Sequence, residues 1–114
     1  MKMPSLAVYA LASMLALLAL TAAHAEEPGF SEGTKLLTKY NCQQCHSVDK
    51  PGPGPSLRAI AKRYASDPNA RGELQTTVRN GSTGAWGPTP MAGVDVPRGD
   101  LKRLVEFILT LKEY

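Results

Sequence analysis

Two cysteines and a histidine stand together as Cys42-Gln43-Gln44-Cys45-His46, and the chain has no other cysteine. Thiols three positions apart can do several kinds of chemistry. They can close as a disulfide, the ordinary fate of a cysteine pair in an exported protein. They can cycle as a redox dithiol of the thioredoxin kind, but that needs a strand before the motif and a βαβ surround, and neither is evident. A structural zinc site needs four ligands, usually in two Cys or Cys/His pairs. Beyond residue 25 the chain has two Cys and one His, so zinc would have to be shared between chains. Covalent haem attachment through C-x-x-C-H uses all three residues. Two thiols a helical turn apart reach the two vinyl groups on one edge of a porphyrin. The adjacent histidine then presents an imidazole nitrogen to the iron.

The N-terminus bears on which residues remain available. Lys2 is the only charge before Glu26, residues 6–20 are a Leu- and Ala-rich run, and Ala23-His24-Ala25 is a small-x-small site followed by Glu26-Glu27. These are the three parts of a secretory signal peptide. Cleavage after Ala25 leaves a single domain, 26–114, in an oxidising compartment, for which a bacterial periplasm is the expectation. The competing reading is an uncleaved anchor, because the uncharged stretch 3–23 is long enough to span a bilayer. The clean cleavage site favours removal, and with no cysteine beside it a lipid anchor is not expected.

With the leader removed, His46 is the only histidine and Met91 the only methionine. Iron in a haem has two axial positions, and elimination gives the second to Met91. A lone methionine is more often core filler, but the frame here is unusual for filler. Met91 sits in Gly87-Pro88-Thr89-Pro90-Met91-Ala92-Gly93, where two prolines forbid a regular helix. A stiff extended loop can hold a thioether at a set distance from iron. Met/His ligation raises the reduction potential and leaves no open position for substrate or oxygen. It therefore supports reversible one-electron transfer rather than catalysis at iron.

Composition fits a domain with a large apolar group at its centre. Of residues 26–114, 30 are apolar, or 34%, against 43% for the whole chain, and Gly and Pro supply another 18. A domain this small buries only roughly 60% of its unfolded surface and is marginal unaided. This excludes a large enzyme, two domains, a multi-span membrane protein and a self-sufficient hydrophobic core. The net charge of +3 is scattered rather than gathered into the basic face of a nucleic-acid binder.

The scaffold reads as all-α, with about four short helices and no strand. Ser31 followed by Glu32 caps a helix running toward Cys42, with Leu36, Leu37 and Tyr40 at helical spacing. Ser56 caps a second helix, with Leu57, Ile60, Ala61 and Tyr64 on one face, and Asp67-Pro68 ends it. A third covers 70–79, with Leu74 and Val78 inward, and stops at Asn80-Gly81. The last covers 97–112, where Leu101, Leu104, Val105, Ile108 and Leu111 form an apolar stripe and Pro97 suits a helix start.

With these residues in place, residues 30–113 resemble the small bacterial monohaem class I cytochromes c. The likeness rests on the pentapeptide, on Gly54-Pro55 nine positions after His46, and on Asn80-Gly81-Ser82-Thr83-Gly84-Ala85-Trp86-Gly87-Pro88-Thr89-Pro90-Met91. It implies the class I fold, with four helices around one haem c bound through Cys42 and Cys45. It implies that the Pro55 carbonyl accepts the Nδ1–H of His46, orienting the imidazole. It also implies that the Trp86 indole bonds a haem propionate, and that the first and last helices cross near the haem, with Leu36, Leu37 and Phe107 as candidate contacts. There are departures. Val94 and Asp95 stand where many relatives have an asparagine that steadies the methionine sulfur. Thr77 stands where some have a propionate-pairing arginine, and Arg79 is the candidate replacement.

The function expected is that of a periplasmic one-electron carrier, docking transiently through a small redox interface on donor dehydrogenases or respiratory complexes and on acceptor reductases or oxidases. Lys35, Lys39, Lys50, Arg58, Lys62 and Arg79 are candidate charges at its rim. The alternative is a haem subunit of a heterodimeric periplasmic dehydrogenase, for example one oxidising sulfite. A peroxidase or ligand sensor would need an open sixth position, and the Met91 segment argues against one.

Overall fold

Four helices account for half of residues 28–113, the part of the chain that the computed structural model describes. They are α1 (Pro28–Lys39), α2 (Leu57–Arg63), α3 (Ala70–Asn80) and α4 (Arg98–Thr110). Short 3-10 turns cover Cys42–Gln44 and Leu111–Glu113. Among the described residues there is no strand, only an isolated bridge between Ser82 and Met91, and no helix is long and apolar enough to cross a membrane. The leader and its cleavage site lie outside the described residues.

α4 is the central element, and α1, α2 and α3 each pack against it. Its stripe of Leu101, Leu104, Val105, Ile108 and Leu111 is buried, as the periodicity predicts. Phe107 is buried as well. At the crossing with α1, a Cβ on Gly33 would overlap the Phe107 ring, so α1 approaches over a residue without a side chain. Phe30 meets the same ring edge-on, with centroids 5.6 Å apart. Leu36 and Leu37 join Phe107 in the apolar core.

A second tie joins the end of α1 to the start of α4. The Asp100 carboxylate accepts from Lys39 Nζ at 2.8 Å and from the Tyr40 hydroxyl, while Arg103 bonds its other oxygen. These donors hold Asp100 well below the ordinary carboxylate range. The Asp100 bond in turn pushes the Tyr40 phenol upward.

One helix start agrees with expectation, and one start and one end do not. Ser56 caps α2, accepting from Ala59 N at 3.1 Å. Ser31 is not a cap, because α1 already includes Pro28, a residue suited to a first helical turn. α2 stops at Arg63, four residues short of Asp67, where Tyr64 leaves the helical region. Asp67 instead folds the next turn, its side chain accepting from Asn69 N at 2.8 Å.

Candidate haem site

The two thiols lie where α1 gives way to a turn. Asn41 adopts a left-handed conformation (φ 56°, ψ 24°), which asparagine tolerates better than most residues. The chain then winds through the 3-10 turn, and His46 N donates to the Cys42 carbonyl at 3.0 Å. Cys42 and His46 are thus one helical turn apart, with Cys45 between them. Both thiols are free. Burial pushes the Cys42 thiol up, whereas Cys45 is exposed. A thioredoxin-type site would have a strand before the motif, and α1 occupies that place.

The loop after His46 folds back on it. Gly54 N donates to the Cys45 carbonyl at 2.9 Å, Leu57 N to Ser47 at 2.9 Å, and Arg58 N to Val48 at 3.0 Å. This brings the Pro55 carbonyl to 2.7 Å from His46 Nδ1. A carbonyl can only accept, so Nδ1 carries a proton, and in the neutral ring it is Nε2 that keeps the lone pair. The bond expected from the family resemblance is therefore present, and it leaves the imidazole in the tautomer that binds a metal through Nε2. Gly54 makes the approach possible, because a Cβ there would lie 2.6 Å from His46 Cε1. The sequence marks this glycine only by its place before Pro55.

Met91 is held by a separate arrangement at the end of α3. Ser82 and Met91 exchange two backbone hydrogen bonds of 3.0 and 2.8 Å, and Val94 N donates to the Val78 carbonyl at 2.8 Å. Gly81 (φ 78°) and Gly93 allow the two strands of chain to touch. A Cβ on Gly81 would fall on the Met91 carbonyl oxygen, and one on Gly93 would lie 2.5 Å from the Arg79 carbonyl oxygen. Met91 is half-buried, and residues 83–90 are exposed. Trp86 is the only large hydrophobic residue exposed among those described, at 41%. Its ring is covered on one side by Arg63, a residue that sequence reasoning assigns no role.

These residues fit a haem. The thiols are unpaired, the imidazole has the correct nitrogen free, and Met91, the only methionine among the described residues, is locked into a non-helical frame. No group of three or more His, Cys, Asp or Glu side chains able to hold a metal ion forms among the described residues. The Cytochrome c family profile matches residues 30–112. The chain belongs to the cytochrome c family. It is 37% identical to cytochrome c-551 of Stutzerimonas stutzeri over 100 residues, covering 87% of this chain and 96% of that protein. It is 42% identical to cytochrome c-552 of Nitrosomonas europaea over 78 residues, covering 68% and 76%. The crystal structure of wild-type Nitrosomonas europaea cytochrome c552 superposes with a TM-score of 0.67 at 41% identity, covering 69% of this chain and 99% of that one.

This cytochrome c has the all-α class I fold. It carries one haem c, covalently bound through Cys42 and Cys45. It is an electron-transfer protein rather than an enzyme, and it works with redox partners. Two of the candidate rim charges are engaged within the protein. Arg58 holds Asp49 at 2.6 Å and donates to the Leu111 carbonyl at 2.9 Å. Lys39 is bound to Asp100. Lys35, Lys50, Lys62 and Arg79 are exposed.

Proposed function

We propose that this protein is a periplasmic one-electron carrier whose haem iron is ligated by His46 Nε2 and Met91 Sδ. The observation that carries this reading is the 2.7 Å bond from His46 Nδ1 to the Pro55 carbonyl, which leaves Nε2 as the only ring nitrogen able to bind iron. The haem, when bound, would supply reversible one-electron chemistry, with His46 and Met91 as the residues that would hold its iron. The protein's own work is to orient. Pro55 fixes the rotation and raises the basicity of the imidazole. The Ser82–Met91 bridge fixes the backbone from which the thioether extends. The Trp86 indole N–H would donate to a haem propionate.

The leader 1–25 exports the chain and is removed, leaving 26–114 as the mature domain. Its partners are periplasmic: a donor dehydrogenase or respiratory complex, and an acceptor reductase or oxidase.

The test is an optical spectrum of protein expressed from the full-length gene with haem-maturation machinery. Oxidised and reduced forms are recorded before and after denaturation, with M91A alongside. Thioether-type haem that survives denaturation is expected, together with a weak near-infrared sulfur-to-iron band absent from M91A. A band that persists in M91A overturns the Met91 assignment. Intact mass of the exported protein checks cleavage after Ala25.

A further inference from the structure

Residues 83–90 form the tip of the loop closed by the Ser82–Met91 bridge. Among the described residues, hydrogen bonds and ring contacts tie this tip to the helices at one point. Arg63, the last residue of α2, donates from Nη1 to the Ala85 carbonyl at 2.8 Å. Its guanidinium carbon also lies 4.4 Å from the centroid of the Trp86 ring. A planar guanidinium can do both at once, stacking by its face and donating from its edge, which an ammonium cannot.

We propose that Arg63 is a positioning residue that latches the loop tip to α2 and thereby keeps Met91 at its ligand position. The proposal rests on the Met91 reading above. Between Trp86 and Met91 lie Gly87-Pro88-Thr89-Pro90. The prolines hold their own φ near one value, so the segment is stiff apart from Thr89 and the joint at Gly87, which sits at φ 117°. Arg63 grips the two residues just before that joint. At the base, Met91 is held through an isolated bridge of two backbone bonds, a unit small enough to open locally. With the latch closed, opening the bridge must also displace a stacked and hydrogen-bonded guanidinium. Without it, the tip swings at Gly87 and the bridge opens alone.

The test uses the ferric holoprotein and imidazole as probe. Imidazole reaches the iron only after Met91 has left, so its apparent affinity reports the fraction of molecules with the thioether released. R63A is expected to bind imidazole about tenfold more tightly than wild type, as follows from losing a cation–π contact and a charged hydrogen bond. R63K, which keeps the cation and loses the fork, should fall between them. The denaturant midpoint of R63A, read by far-ultraviolet circular dichroism, should stay at the wild-type value. Equal imidazole affinity in R63A and wild type overturns the latch. So does a gain in affinity that only parallels a loss of global stability. A wild-type ferric spectrum without the sulfur-to-iron band overturns the Met91 reading beneath it.

Discussion

Residues 42–56 and residues 81–96 present the two side chains assigned to the iron, and the chain holds them in different ways. On the histidine side, Gly54, Leu57 and Arg58 all donate back to Cys45, Ser47 and Val48. The imidazole itself is bonded at Nδ1 and pressed against Gly54. Just ahead of it, Tyr40 and Lys39 tie the end of α1 to Asp100 of α4. On the methionine side, the clamps act on backbone at the base of the loop, and the tip is exposed. One ligand is fixed as a side chain, whereas the other is fixed only as a backbone position. Loss of a ligand from the iron should therefore begin with Met91.

The largest effect should come from removing the group that both sides share. A haem-free C42A/C45A chain is expected to show no cooperative thermal transition by circular dichroism, because too little apolar side chain remains to fill the centre. A transition near that of the holoprotein would show that the helices alone carry the fold.

Next in size is a glycine from each side. Gly54→Ala forces a Cβ into the His46 ring and should cost about 3 kcal/mol, the upper end for overpacking. Gly84→Ala meets nothing within 4 Å, but places a side chain at φ 78°, and should cost about 1–2 kcal/mol. Denaturant unfolding of the two holoproteins measures both values. The reverse order would break the contrast between a packed and an open side.

The smallest effect concerns the tie between α1 and α4. Asp100 is held below its ordinary pKa of 3.8 by its bonds to Lys39, Tyr40 and Arg103. A carboxyl lowered in the folded state stabilises fully above its unfolded value, and that contribution is lost as pH falls below it. The wild-type denaturant midpoint should therefore decline as pH drops below 3.8. In D100N it should start slightly lower and decline less. An identical acid profile would show that the tie contributes nothing.

Local pattern predicted the helices well where side-chain periodicity and a cap agree, as at Ser56 and along the α4 stripe. It failed at Ser31, where a serine with a following glutamate imitates a cap inside a helix that has already begun. It also failed at Asp67-Pro68, because α2 ends once Tyr64 leaves helical geometry, without any breaker residue. Leu36, Leu37 and Phe107 read equally well as haem contacts or as core; all three are buried in the apolar cluster, where Phe107 meets Phe30 and Gly33.

The residues alone determined the attachment chemistry. The spacing of Cys42, Cys45 and His46 is covalent and local, and counting beyond residue 25 leaves one histidine and one methionine to offer to the iron. The tertiary structure decided what surrounds them: which imidazole nitrogen is free, why residue 54 cannot carry a side chain, and which of the twelve lysines and arginines among the described residues reaches the methionine loop. Each of these depends on two segments far apart in the chain approaching within hydrogen-bond or van der Waals distance, and that approach is set by how the helices pack.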